Sequence, residues 1–578
     1  MNRLRKTLHL GLGLAALAAN LPAQDEPAET AANVVTLPPF LVDRGEGRRA
    51  QPWYIIEAPG FTVLSTGSEQ IGPEFADYYL QQTAALNRLV PAKYRWHSSV
   101  PELVVLINEA AGTVARDEAL QTMLDQDRSA TATGGRRIAK ALPNLQINGR
   151  DRTALFATHQ RSDAVERAVS RGSALSSFNA SMAGQTPVEF AFTPSRVGQF
   201  LARRTPALPP WVVQGLIGLW AQSAFGDDLL RLNAAYWRSP AETDALRLDS
   251  DRPRDLFPLP LFFSRNPMDL EPARAKVWRE QAVLFTRWAL FAEGGPGPDA
   301  FWGFVDDVET RPLTEALFRR HFGLGFADAR DRLADYLPDA TQEEIDLTFQ
   351  ATAERAPRQR RATPAESGRL RAEWERLQVG FVRAQHPELA SHYLRQARST
   401  IELTRQNSGD HPDLQATAGL LEFEAGNHAE ARRELTAALA GGNTRPEVRQ
   451  TLAQLIYAGY RAQLPPNGRL DIVQVADLQK LLEPALDDEP LLLETATLYA
   501  TVWLNAENPP APVELNRLLA LARRFPSEPT VILPTAVIFA TQGRIGHARQ
   551  LVMLARQLAP DEKTRTAFDP LWERLSAL

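Results

Sequence analysis

The stretch TPSRVGQFLARRTPALPPWVVQGLIGLWA, residues 193–221, contains two helix beginnings a short distance apart. Thr193 can cap a helix whose first turn holds Pro194, because a hydroxyl accepts free backbone N–H groups and proline tolerates the first helical position. Further along, a pair of prolines, Pro209 and Pro210, precedes an apolar run. The stretch therefore predicts two consecutive helices joined by a short loop.

This frame resembles the two active-site helices of gluzincin-type zinc metallopeptidases, specifically the peptidase-MA-like domains of bacterial envelope proteins. Those domains read HExxH on the first helix and PPWLxEGLAxY on the second. The second helix matches at Pro209, Pro210, Trp211, Gly215 and Leu216. The resemblance continues through residues 276–337, where seven residues fit the tail of the family: Ala316, Leu317, Phe322, Gly323, Leu333, Tyr336 and Leu337. It implies an α+β zincin-like domain, with a small sheet and helices, over residues 51–340.

The catalytic residues of the family are absent in the register that the resemblance implies. Ser195 and Gln199 stand at the two histidine positions, Arg196 at the general-base glutamate and Gln214 at the third zinc ligand. Zinc sites use imidazole, thiolate or carboxylate groups, and an arginine cannot take a proton from water because it stays charged. The resemblance therefore implies a peptidase fold that no longer binds zinc.

The residue inventory supports this expectation. The nine histidines include no pair at i,i+3 or i,i+4, and the chain has no cysteine. Two ligands on one helix need such spacing to face the same way, so a helical dihistidine or thiolate site is excluded. A site assembled from distant histidines stays open. We expect no metal and no cofactor.

The N-terminus predicts a secretory signal peptide over residues 1–23. MNRLRK supplies positive charges, an apolar stretch rich in glycine and alanine follows, and small residues offer cleavage after Ala18 or Ala23. An amphipathic helix is the alternative. No later run reaches the length of a membrane span, and without cysteine the chain cannot carry a lipoprotein anchor. We expect a periplasmic or secreted protein with a flexible tether over residues 24–50.

The charge balance argues against a nucleic-acid partner. Lysine and arginine number 64 against 69 aspartates and glutamates, giving a net charge of −5, which provides no overall attraction for nucleic acid. The basic segment RAPRQRRATPAESGR, residues 355–369, holds two prolines between helical regions. We interpret residues 341–370 as a linker, with a basic binding patch as the alternative.

Residues 371–578 predict an all-α domain of tetratricopeptide-like (TPR-like) repeats. In residues 417–442, Gly419 and Ala431 are small residues where two helices would approach, and Gly426 separates the helices. Residues 528–560 repeat the scheme, residues 489–526 form a more degenerate pair, and residues 381–405 are a candidate opening pair. Small residues allow close helix approach, and each pair buries its apolar face against its neighbours. A plain helical bundle is the alternative.

Three functions are compatible with these patterns. The first is a non-catalytic envelope protein that binds a protein or peptide through the TPR-like array and the inactive peptidase-like domain. The second is a hydrolase, a peptidase or glycosidase, with an unrecognised site among the residues Ser173, Ser176, Ser177, Asp306, Asp307 and Glu309. The third is a purely structural envelope module.

The resemblance also implies a cleft where the peptidases of the family have their active site. If this cleft binds a ligand, four residues are expected to line it: Arg196, Gln199, Trp211 and Gln214. Arg196 suits an acidic group or a peptide C-terminus, because its guanidinium forms paired hydrogen bonds with a carboxylate. The alternative is that Arg196 and Gln199 hydrogen-bond the helices together where zinc once did so.

Overall fold

The computed structural model describes residues 52–66, 71–108, 145–159, 194–226, 228–237, 256–350, 358–385 and 387–578. The predicted signal peptide and tether lie outside these residues, as do Thr193 and the three candidate serines Ser173, Ser176 and Ser177. Within the described ranges, none of the helices combines the length and the apolar character that a membrane span requires.

In the part of the chain that the structure describes, nine strands form two sheets. The strands are β1 (Trp53–Ala58), β2 (Phe61–Thr66), β3 (Glu102–Asn108), β4 (Leu145–Asn148), β5 (Thr153–His159), β6 (Ser223–Phe225), β7 (Leu229–Leu232), β8 (Ile345–Thr348) and β9 (Arg358–Arg361). The larger sheet has the order β4-β5-β3-β2-β1-β9, with β2, β3 and β5 parallel and the other pairs antiparallel. The smaller sheet is antiparallel, in the order β6-β7-β8.

The helices fall into two sets. Those that accompany the sheets are α1 (Ile71–Leu89), α2 (Pro194–Ala202), α3 (Pro210–Ala221), α4 (Leu259–Ser264), α5 (Pro272–Phe291), α6 (Pro298–Val308), α7 (Glu315–Phe322) and α8 (Phe326–Ala340). Those of the helical array are α9 (Pro364–Gln385), α10 (Ala390–Ser408), α11 (Pro412–Glu424), α12 (His428–Ala440), α13 (Pro446–Gln463), α14 (Ile472–Leu486), α15 (Leu493–Leu504), α16 (Pro512–Arg524), α17 (Pro529–Thr541), α18 (Ile545–Leu558), α19 (Glu562–Ala567) and α20 (Asp569–Ser576).

The two helices of the opening stretch are confirmed. α2 begins at Pro194, and α3 follows Pro209, with Pro210 in its first turn. Strands β1 and β2 form an antiparallel pair, which turns at Gly60 with a φ of +81°. That value lies in the left-handed region, which glycine reaches without a steric cost.

The structure differs from the linker prediction for residues 341–370. β8 completes the small sheet, β9 pairs with β1 at the edge of the large sheet, and α9 begins at Pro364. Arg360 of β9 is held by Glu366 at 2.7 Å and by Glu57 at 3.4 Å. Three of the basic residues, Arg358, Arg360 and Arg361, therefore belong to a paired strand, and neighbouring carboxylates balance the charge of Arg360.

The large sheet is buried on both faces by two different sets of helices. Along β3, Val104 and Leu106 join the core formed with α1, α3 and α5, whereas Leu103 and Val105 face the other way. On that second face they pack with residues of α9, including Trp374 and others nearby. Alternate residues of a strand point to opposite faces, so the first helix of the array supplies half of the cover for the sheet.

The array consists of antiparallel helix pairs. Contacts join α9 with α10, α11 with α12, α13 with α14 and α17 with α18, and further contacts join α9, α11, α13, α15 and α17 in succession along the array. Gly426 and Gly543 lie between the helices of two pairs with φ of +84° and +79°. The repeat units predicted at residues 417–442 and 528–560 are therefore confirmed as helix pairs of the TPR-like type.

We predict that Gly419→Ala destabilises the array. A Cβ at this position would lie 2.6 Å from Cγ and 3.0 Å from the backbone N of Leu435, and overpacking of this kind costs about 1–3 kcal/mol. Urea unfolding monitored by circular dichroism measures the change. Gly459→Ala is the matched control: a Cβ there meets nothing within 4 Å, so the helix should gain about 0.5–1 kcal/mol. Equal effects of the two variants would contradict the packing explanation.

Candidate functional site at the junction of the sheet and the helical array

Arg196 is buried and bonded to two other elements. Its Nη2 donates to the Tyr79 hydroxyl on α1 at 2.7 Å and pairs with Glu102 Oε2 on β3 at 2.5 Å. The Tyr79 hydroxyl also donates to Glu102. Burial alone would lower the pKa of Arg196, but Glu102 and Tyr79 outweigh it and raise that pKa. The guanidinium therefore ties α2 to the sheet and is committed to internal partners.

The other residues expected to line the old cleft occupy different surroundings. Gln199 accepts a hydrogen bond from Asn148 Nδ2 at 2.9 Å on an exposed surface, and Gln214 is half-buried on α3. Trp211 is 1% exposed, with its ring centroid 5.2–5.9 Å from those of four phenylalanines: Phe263, Phe285, Phe301 and Phe304. Ser195 lies on α2, beside Arg196 in sequence. Trp211 and Arg196 are thus packed inside the protein instead of facing an open cleft.

The acidic cluster proposed for a hydrolase is distributed over separate ion pairs. Asp306 accepts from Lys93 at 2.8 Å and from the Tyr94 hydroxyl at 2.7 Å. Asp307 lies 2.9 Å from His321 Nε2, and Glu309 pairs with Arg204. In the part of the chain that the structure describes, no group of three or more His, Cys, Asp or Glu side chains is arranged to hold a metal ion.

A buried ion network joins the sheet to the array, and the sequence reasoning missed it. We define the junction network as five residues, each less than 10% exposed: Asp151, Glu373, Arg376, Arg445 and Glu447. Asp151 lies in the turn between β4 and β5. Its carboxylate accepts from Arg445 Nη2 at 2.9 Å and from the backbone N–H of Glu447 at 3.1 Å, at the start of α13.

The network residues that belong to the array are also paired with one another. Arg376 of α9 donates to both carboxylate oxygens of Glu373 at 3.1 Å, and its Nη2 reaches Glu447 Oε2 at 3.3 Å. Arg445 lies 3.0 Å from Glu373 Oε1. Each buried charge thus has an oppositely charged neighbour, which is the condition under which charges are tolerated inside a protein.

Within the network, the pKa values of the carboxyl groups are shifted in opposite directions. Burial would raise the pKa of Asp151, but Arg445 and the N–H of Glu447 hold that pKa below its usual value. Burial would likewise raise the pKa of Glu373, yet Arg376 and Arg445 hold it well below the usual range. For Glu447 burial prevails and raises the pKa to about 7.

A cavity of about 440 Å³ lies beside the network. Both parts of the chain line it, with residues that include Ile55, Thr62 and Arg152 from the sheet part and Arg369, Thr417 and Arg445 from the array. We call it the junction cavity. Its volume falls in the range of pockets that hold small molecules or peptide side chains.

A row of uncharged polar side chains continues from the junction along the first helices of the later pairs. We define the polar stripe as Gln454 and Tyr457 on α13, Thr497 and Thr501 on α15, Asn505 at its end, and Thr530 on α17. All six are half-buried. Asn505 Nδ2 donates to the Tyr457 hydroxyl at 3.2 Å, and the hydroxyls of Thr497 and Thr530 lie 3.0 Å apart. The spacing of three or four residues places the members on one face of each helix.

The β4–β5 turn contacts the near end of the polar stripe. Arg150 Nη1 donates to Gln450 Oε1 at 2.8 Å, and Gln450 in turn donates to Gln454. Arg150 also lies 3.7 Å from Glu494, one turn before Thr497. The sheet part therefore rests on the same face of the array that carries the polar stripe.

We predict that Arg196→Met lowers the free energy of unfolding by about 3–5 kcal/mol, because it leaves the Glu102 carboxylate buried without its cation. The double variant Arg196→Met/Glu102→Gln should recover most of this loss, since it removes both charges together. Chemical denaturation of the wild type, the two single variants and the double variant measures the coupling. Additive effects of the two substitutions would show that the pair does not act as a unit.

We predict that Asp151 and Glu373, two carboxylates of the junction network, make stability fall in acid. Asp151 and Glu373 have depressed pKa values, so their contribution is present above the unfolded-state pKa values, about 4, and is lost as the pH falls through the folded-state values. Asp151→Asn should cost about 3–5 kcal/mol at neutral pH and progressively less in acid. Thermal unfolding across a pH series tests this. A constant difference between the two proteins at every pH would contradict it.

Comparisons with known proteins assign no family. No family model matches the chain, and no curated protein matches it. Some solved structures show partial likeness. YrrB, described as a TPR protein with an unusual peptide-binding site, is 14% identical over 32% of this chain and 89% of its own, with a TM-score of 0.25.

Two further structures are similar to the same extent. TTC0263, a thermophilic TPR protein in Thermus thermophilus, is 14% identical over 36% of this chain and 100% of its own, with a TM-score of 0.24. Pseudomonas aeruginosa pilF is 17% identical over 36% of this chain and 94% of its own, with a TM-score of 0.25. Likenesses at these TM-scores support no conclusion about function, which must come from the chain's own contacts.

Proposed function

We propose that this protein is a non-catalytic binding protein of the cell envelope, which holds an extended peptide or protein segment on the polar stripe of its helical array. The observation that carries the proposal is the composition of the stripe. Its six members offer hydroxyl and amide groups without charge, on neighbouring helices and half-accessible to solvent. Such groups can hydrogen-bond the backbone N–H and C=O groups of an extended chain.

The second helices of these pairs, α14 and α16, differ from the polar stripe in the charge of their exposed side chains. Their accessible sides carry charged pairs, such as Asp477 with Lys480 on α14 and Glu483 of α14 with Arg517 of α16. Charged side chains are typical of a surface that faces only water, whereas the core of an interface is depleted in charge and enriched in tyrosine. The contrast between the two sides supports the polar stripe as the binding side.

The proposal of a non-catalytic role rests on how the candidate catalytic groups are used. Arg196 stands where the peptidase resemblance has its general base, and it is bonded to Glu102 and Tyr79. Asp306 and Glu309 are each paired with a basic side chain. We further propose that the sheet part is an inactive metallopeptidase-like domain. The basic N-terminus and the apolar stretch after it support export to the periplasm or beyond.

Site-specific photo-crosslinking tests the binding side. With p-benzoylphenylalanine in place of Thr501, irradiation of the full-length protein in an extract of its native envelope should give an adduct, because this position lies in the middle of the stripe. The same amino acid in place of Lys480, whose side chain is 75% exposed on α14, is the matched control and should give none.

A blocking variant makes the test specific. Gln454→Arg adds a long charged side chain to the polar stripe and should reduce the Thr501 adduct about tenfold, equivalent to roughly 1.4 kcal/mol of binding. Adducts of equal yield from positions 501 and 480, or an adduct insensitive to Gln454→Arg, would refute the proposed binding side.

A further inference from the structure

The charged side chains that line the junction cavity differ in their bonding: the carboxylates have partners, whereas two arginines lack a hydrogen-bonded carboxylate. This difference indicates a ligand. Every carboxylate of the lining has a partner. Glu373 is bonded to Arg376 and Arg445, and Glu366 is held by Arg360 at 2.7 Å. The remaining two are Asp413, which accepts from Asn443 Nδ2 at 3.0 Å, and Glu57, which lies 3.4 Å from Arg360.

Two arginines of the same lining have no hydrogen-bonded carboxylate among the described residues. The nearest carboxylate oxygen to Arg152 is Glu373 Oε1 at 3.9 Å, which is an ion-pair distance but beyond hydrogen-bond length, and the Arg152 Nε is buried without a partner. Arg369 of α9 lines the cavity half-buried and forms no ion pair within the described ranges. Two guanidinium groups of the lining can therefore still form hydrogen bonds with a ligand.

The environment of Arg152 is electrostatically unfavourable as it stands. Burial and the neighbouring Arg445 lower the pKa of Arg152, and the attraction of Glu373 and Asp151 does not offset them. A guanidinium in such a place gains from an anion that forms paired hydrogen bonds with it, and a carboxylate has the matching planar geometry.

The junction cavity also has an apolar portion. Ile55, Val100 and Leu370 line it, and the first two are buried. Apolar groups beside arginines without a hydrogen-bonded carboxylate favour a ligand that combines a carboxylate with an aliphatic side chain, such as the C-terminal residue of a peptide. The cavity reaches Arg445, the residue before α13, and the polar stripe begins two turns further along that helix at Gln454.

We propose that the junction cavity binds the C-terminal carboxylate of a peptide, with Arg152 and Arg369 as its ligands and the terminal aliphatic side chain against Ile55, Val100 and Leu370. This assignment rests on the proposed peptide-binding function and adds an end-specific subsite to it. Peptides with a free C-terminus are thereby selected over internal segments.

Calorimetric titration of the full-length protein with small probes tests the subsite without knowledge of the natural partner. N-acetyl-leucine carries both recognised groups, N-acetyl-leucinamide lacks the carboxylate charge, and inorganic phosphate offers an oxyanion without the side chain. N-acetyl-leucine should bind, and the amide should bind at least tenfold more weakly. Equal binding of the two leucine probes, or tighter binding of phosphate, would overturn the carboxylate assignment.

Variants separate a binding role from a structural one. Arg369→Gln should weaken N-acetyl-leucine at least tenfold without loss of folding, because Arg369 forms no ion pair within the described ranges. Arg152→Gln should do the same if circular dichroism shows it folded. Arg433→Gln, which removes an arginine whose side chain is 70% exposed on α12, is the charge control and should change nothing. Wild-type binding in Arg369→Gln would overturn the assignment.

The two proposals fail in different ways. If the probes do not bind while the Thr501 adduct forms and responds to Gln454→Arg, the end-specific subsite is refuted and the peptide-binding function stands. If N-acetyl-leucine binds with the stated dependence on Arg369 while Thr501 gives no adduct, the cavity is a carboxylate site and the polar stripe is not the surface that extends it.

Discussion

The arrangement of this protein depends on one buried electrostatic constraint, the junction network. Asp151, Glu373 and Arg376 are each no more than 2% exposed, and any one of these charges without its partners would cost several kcal/mol. The network is complete only when the β4–β5 turn, α9 and the start of α13 meet at once. Apolar contacts tolerate small displacements, whereas this set of bonds between charged groups does not. The network therefore fixes the position of the sheet against the array.

The sheet itself makes the two parts inseparable. Leu103 and Val105 of β3 pack against α9, and Val104 and Leu106 pack against the helices of the sheet part. Repeat arrays need a terminal cap, because the apolar face of the first repeat has no neighbour. Here the sheet is that cap. The segment interpreted as a linker, residues 341–370, contains β8, β9 and the first turns of α9, and α9 shares this core with the sheet.

The sequence predicts structure that forms within one short segment, but it does not predict contacts between residues far apart in the chain. The helix pair around Gly426 follows from small residues and a glycine within one segment of about 25 residues. β9 reads RQRR, without an apolar period, and becomes a strand only because β1 offers it an edge. Asp151 and Arg445 are separated by 294 positions, and no pattern in the sequence predicts their contact. The sequence marks Arg196 as a candidate site residue, but its partners Tyr79 and Glu102 belong to other elements and cannot be predicted from it.

The charges of this molecule are compatible with the proposed binding function. Perturbed pKa values mark functional sites, but structural ion-pair networks perturb them as well. Asp151 and Glu373 owe their low pKa values to arginine partners inside the protein. Arg152 differs from the arginines of the network, because it is half-buried and its nearest carboxylate oxygen, in Glu373, is 3.9 Å away. Arginines without a hydrogen-bonded carboxylate, apolar walls and an adjoining row of neutral hydrogen-bonding groups support the proposed recognition of a peptide C-terminus.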